Sequence, residues 1–216
     1  MVTTLRFHRR NLPHWMVADH PYFVTLRLHG TIPRHVLEQL IRERNELLAM
    51  EANEEKWTAL MRRQSLRIED ILDACDGQAQ WLGEAAVAGM FLDSLQWLES
   101  ARGWRIYAAA VMPNHVHMVL RNKDGRNGAL LEDLGHLKRF TARMGNRILT
   151  RRGTFWARED FDHWCRTPDK VLGAVAYSLG NPVKAGLVRT WAEWPWHRVD
   201  PEFAAAMKEG PVPPRA

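Results

Sequence analysis

A chain of 216 residues, 46% of them hydrophobic, is long enough for one filled core with an inserted lobe, and no run approaches the roughly 20 apolar residues of a membrane span. Two cysteines in no metal-binding spacing, and no apolar segment behind Met1, argue against a disulfide framework and a secretory signal and predict a cytoplasmic protein without a membrane partner. The formal charge of +5 and the isoelectric point near 9.6 point to an acidic partner only where the charge is clustered.

The opening, Arg6-Phe-His-Arg-Arg10 through Trp15, reads as an irregular basic arm with Arg9 and Arg10 at its centre. Tyr22-Phe-Val-Thr-Leu-Arg-Leu-His29 has the β-branched and aromatic content of a strand, and Gly30 ends it. Helical spacing follows from residue 34 to about 50, behind Pro33. Residues 51 to 100 read as a helical insertion on one sheet edge, with helices over about 54–74 and 84–99 separated by Gly77. Trp104 to Val111 and His115 to Arg121 read as antiparallel strands joined at Pro113-Asn114. A strong helix is predicted over 129 to about 151, then a loop holding Trp156 and Phe161-Asp-His-Trp164. A helix from Pro168 to about Asn181 and a short strand at Gly186-Leu-Val188 follow. The division is a single domain over 1–195, with the insertion at about 51–100, and a C-terminal tail over 196–216, Pro-rich from Pro211.

His115-Val-His117 is the sharpest chemical feature. Residues two apart on a strand share a face, so both imidazoles can converge on a divalent metal; the plain alternative is a solvated histidine pair. Tyr177 and Asn181, one helical turn apart, also share a face. A tyrosine there could attack a phosphodiester and an asparagine carbonyl could complete a metal shell, against the alternative of a packed aromatic. On the 129–151 helix, Leu130, Leu134, Leu137, Met144 and Ile148 form the predicted buried stripe. Arg139, Arg143, Arg147 and Arg151 recur every four residues opposite it, with Lys138 beside them. Like charges one turn apart repel, so an anionic partner is one reading and a solvated face the other.

Val111-Met-Pro-Asn-His-Val-His-Met-Val-Leu120 resembles the histidine–hydrophobic–histidine motif of single-tyrosine transposases. Tyr177-Ser-Leu-Gly-Asn-Pro-Val-Lys-Ala-Gly-Leu-Val188 looks like the tyrosine helix of one branch, the REP-associated tyrosine transposases. Leu12-Pro-His-Trp15, Tyr22 to Gly30, Leu137-Lys-Arg-Phe-Thr141 and Trp156 to Arg166 match the same branch in order, over about residues 6–190.

The resemblance implies an α+β, ferredoxin-like antiparallel sheet with helices packed on it. It implies His115 and His117 as ligands of Mg²⁺ or Mn²⁺, Tyr177 as nucleophile, and Asn181 where the broader superfamily has glutamine. Ser178-Leu-Gly180 departs from the branch's more usual Ile-His-Leu. The expected activity is cleavage and rejoining of single-stranded DNA at palindromic-repeat hairpins through a 5′-phosphotyrosine. Arg9, Arg10, Lys138, Arg139, Arg143 and Arg147 would grip the DNA. In some relatives the tyrosine helix serves a neighbouring subunit, which keeps a homodimer open. The alternatives are a domesticated repeat-binding protein that no longer cleaves, and a histidine-triad hydrolase, which would need a histidine where Val119 stands.

Overall fold

The computed structural model describes residues 4–9, 13–17, 19–50, 53–75, 79–124, 129–158 and 160–208. The first two segments are strands, β1 (Thr4–Arg9) and β2 (Pro13–Val17), paired antiparallel in a sheet of their own. The arm is therefore regular rather than irregular: backbone pairing overrides a composition that gives no alternating signal. Arg10 and the side chain of Arg9 lie outside the described residues.

The main sheet has the order β6-β3-β5-β4-β7, every neighbouring pair antiparallel. Its strands are β3 (Tyr22–Arg27), β4 (Trp104–Val111), β5 (His115–Asn122), β6 (Phe161–Trp164) and β7 (His197–Val199). The helices are α1 (Arg34–Ala49), α2 (Glu54–Asp73), α3 (Ala85–Arg102), α4 (Leu130–Ile148), α5 (Pro168–Lys184) and α6 (Pro201–Lys208). In chain order β3-α3-β4-β5-α4-β6 makes the split β-α-β repeat of a ferredoxin-like α+β fold, as expected, with β7 added at one edge.

Alternation along the central strands divides the sheet into two faces. Val24, Leu26, Val116, Met118 and Leu120 face one way, into a core closed by Val87, Phe91 and Leu95 of α3 and Leu130, Leu134 and Leu137 of α4. Phe23 and Val119 face the other way and meet Val171, Val175 and Leu179 of α5. α3 is thus a principal core helix, not the second half of an insertion. The inserted lobe is α1 and α2, which share a small core of Val36, Leu40, Ile68 and Leu72. The two kinds of helix look alike in sequence because an inserted hairpin needs an apolar stripe as much as a crossover helix does.

Three other expectations change. The tail from 196 begins inside the sheet, since β7 pairs with β4 and Phe203 of α6 lies against Tyr107 at 4.7 Å between ring centroids. Residues 186–188 form no strand, and Pro211 onward lies outside the described residues. On α4 the buried stripe runs Leu130, Leu134, Leu137, Thr141 and Gly145, leaving Ile148 exposed. Gly145 fits because Phe155 closes on it: an added Cβ would stand 2.6 Å from the ring. Asp133 is buried and accepts from the Trp104 indole at 2.8 Å and from Arg102 at 2.5 Å. No helix among the described residues is long and apolar enough to cross a membrane.

Candidate metal and nucleophile site

The site lies on the α5 face of the sheet. β5 is central, flanked by β3 and β4, so both histidines are fully buried. Register places Thr25 of β3 opposite His117, and the Thr25 hydroxyl lies 2.9 Å from His117 Nδ1. Phe23, two residues earlier on the same face, stacks on the His117 ring at 5.2 Å. His115 Nε2 and His117 Nε2 meet at 2.9 Å.

Asn114 ties this strand to the inserted lobe. Its Nδ2 donates to the Leu72 carbonyl of α2 at 2.9 Å, so its Oδ1 is the acceptor facing His115 Nδ1 at 2.6 Å. His115 therefore carries its proton on Nδ1 and turns a lone pair at Nε2 toward His117. Burial lowers the His115 pKa to about 4, with the Asp73 carboxylate working in the opposite direction. The ring is neutral near pH 7, the state a metal requires. His117 then donates Nε2–H to His115 and accepts from Thr25 at Nδ1. With a metal between the rings, the His117 proton would sit on Nδ1 and Thr25 would accept it, a role a hydroxyl fills equally well.

Asp73, the last residue of α2, brings in a participant the sequence reading missed. It is buried and accepts from Tyr177 Oη at 3.1 Å, from Asn181 Nδ2 at 2.9 Å and from Lys184 Nζ at 2.5 Å. Those three residues recur at four- and three-residue spacing on one side of α5, which is continuous through Ser178-Leu-Gly180. Ligand atoms of Asp73, His115 and His117 all lie within 4.8 Å of one another. Tyr177 also meets the His117 ring edge-on at 5.2 Å. The sequence did carry a signal for Asp73: α2 has Asp70 and Asp73 in its final turns and no basic residue in its last turn. A helix C-terminus disfavours negative charge, so acids there call for a cation elsewhere.

Asn181 Oδ1 tests whether a metal fits. It is buried with no hydrogen-bond partner among the described residues, on a side chain only 1% exposed. An acceptor left bare inside a protein costs about 1–3 kcal/mol, and a divalent cation would satisfy it. Two imidazole nitrogens, an amide oxygen and a carboxylate form a donor set open to Mg²⁺ or Mn²⁺.

No protein-family model matches the sequence, and no curated protein does. Among solved structures, the chain is similar to one described as the structure of a REP-associated tyrosine transposase bound to a REP hairpin. The fold is shared with that transposase. The match covers 94% of this chain and 90% of the other, with a TM-score of 0.54 and 16% identity.

The basic residues expected to hold DNA are placed apart from the cluster of Asp73, His115, His117 and Tyr177. α4 packs on the face opposite the histidines, so Arg139, Arg143 and Arg147 stand across the sheet from Tyr177. These three are exposed and have no ion-pair partner among the described residues. Phe140 is exposed between them, with the Arg143 guanidinium 5.9 Å from its ring. Lys138 is committed elsewhere, to Asp160 at 2.6 Å and the Ala157 carbonyl at 2.9 Å. Arg151 turns back onto Trp81, 3.4 Å from the ring centroid. His163 of β6 lies tilted against Phe23, 5.1 Å between ring centroids, on the site's face of the sheet.

Proposed function

We propose that this protein is a metal-dependent tyrosine transposase or endonuclease that cleaves and rejoins single-stranded DNA at palindromic-repeat hairpins, acting in the cytoplasm. The observation that carries this reading is the convergence of Tyr177, His115, His117 and the bare Asn181 carbonyl around Asp73. The transposase of similar fold, described as bound to a repeat hairpin, supports it.

His115 Nε2, His117 Nε2 and Asn181 Oδ1 would hold Mg²⁺ or Mn²⁺, with an Asp73 oxygen in reach. An ion held there would supply Lewis-acid stabilisation of charge developing on the scissile phosphate. Asp73 orients the Tyr177 hydroxyl toward the centre and receives its proton. Lys184, on the same carboxylate, places positive charge where the phenolate develops. Tyr177 Oη forms a bond to phosphorus as the P–O3′ bond breaks. The 3′-oxygen leaves, takes up a proton, and the strand ends as a 3′-hydroxyl with the 5′-phosphate on tyrosine. Attack by a 3′-hydroxyl on that linkage reverses the step, so no nucleotide cofactor is consumed. Arg139, Arg143 and Arg147 bind phosphates of the hairpin across the sheet.

The test is incubation with labelled hairpin DNA carrying a single-stranded flank, with Mn²⁺ or Mg²⁺. A covalent adduct is expected that Tyr177→Phe and EDTA each abolish, with hairpin binding retained in Tyr177→Phe. Binding without adduct across a panel of repeat hairpins would instead establish a non-cleaving repeat-binding protein.

A further inference from the structure

The helix that ends in Asp73 has a second, exposed face. Glu55, Arg62, Leu66 and Asp70 stand on it and line an open groove of about 1030 Å³, together with Arg63, Arg67 and, from the segment between β6 and α5, Arg166. Arg62 and Arg166 are exposed and have no carboxylate partner among the described residues. Arg166 stacks on Trp164 at 4.9 Å from the ring centroid. Asp70, at the end nearest Asp73, lies 4.0 Å from Lys184. Leu66 is 38% exposed, which gives the groove an apolar strip between its cations.

We propose that this groove is the track on which single-stranded DNA reaches Tyr177. This rests on Tyr177 being the nucleophile, and it assigns the strand a different surface from the α4 stripe that serves the hairpin. A line of guanidiniums beside apolar and indole surface suits a strand whose phosphates need cations and whose bases are free to stack. From Arg62 to Asp73 the helix rises about 16 Å at 1.5 Å per residue. A stacked strand covers that length in about five nucleotides at 3.4 Å each. The groove leads toward the nucleophile because Asp70 at its far end lies 4.0 Å from Lys184, which shares the Asp73 carboxylate with the tyrosine hydroxyl.

The experiment measures full-length protein binding to two probes over a salt series: an oligothymidine of about 12 nucleotides, and a blunt hairpin without single-stranded flanks. For Arg62→Ala/Arg166→Ala we expect weaker oligothymidine binding. The slope of log K against log salt should fall by about 1.4, from two phosphate contacts at about 0.7 each on a single strand. Hairpin binding should be unchanged, and Arg62→Lys/Arg166→Lys should restore the slope. An unchanged oligothymidine slope, or an equal loss on both probes, overturns the groove while leaving the proposed function intact. A wild-type protein that binds neither probe overturns the proposed function and the groove with it.

Discussion

His115 gives the site a pH signature that stability measurements can read. Burial holds its folded pKa near 4, while an unfolded chain protonates histidine near 6.5. The folded value lies below the unfolded one. Between roughly pH 4 and 6.5 the unfolded chain therefore binds a proton that the folded chain refuses, and stability rises with pH across that window. At about 1.36 kcal/mol per unit, the full difference is about 3 kcal/mol, of which about 2 kcal/mol separates pH 5 from neutral pH. The assay is urea unfolding in EDTA near pH 5 and pH 7.5, for wild type and His115→Gln. The variant should lose about 2 kcal/mol less than wild type on acidification. Equal losses in the two proteins would refute the assignment of a buried neutral imidazole.

Asp73→Ala should destabilise the fold by about 1–3 kcal/mol, because Asn181 then keeps both polar atoms unpaired while half-exposed Lys184 turns to water; an unchanged urea midpoint would contradict this. The same variant should fail to form the covalent DNA adduct. Gly145→Ala sets a helix-propensity gain of about 1 kcal/mol against an overpacking cost of about 1–3 kcal/mol from the Phe155 ring. Thermal unfolding should show a net loss that Phe155→Leu in the same chain partly recovers. Arg143→Ala should lower the hairpin salt slope by about 0.9 while leaving oligothymidine binding alone, and an unchanged slope would remove α4 from the DNA surface.

The central strands and the long helices were legible because each carries a clear period. His115-Val-His117 could be placed on one strand face from spacing alone, and the structure puts both rings there. β6 and β7 were not legible: four and three residues long, they are too short to show alternation, and they pair because neighbouring strands offer free edges. The role of α3 was hidden for another reason. Periodicity reports that a helix has a buried side but says nothing of what covers it. Asp73 was missed because its partners lie 104 and 108 residues away on α5, a distance that local pattern does not span. Arg139, Arg143 and Arg147 were read correctly as one exposed face, yet only the strand order reveals that this face looks away from the tyrosine.

The threefold grip of Asp73 on α5 also bears on how the protein comes into being. The lobe carrying Asp73, the strand carrying the histidines and the helix carrying Tyr177 are distant in sequence, and closing such long loops makes their meeting a late event in folding. A nascent or partly unfolded chain still exposes the same arginines and can cling to nucleic acid. It has no phenol aligned beside the two histidines, so the strand cleavage proposed for Tyr177 would be confined to molecules that have completed the fold.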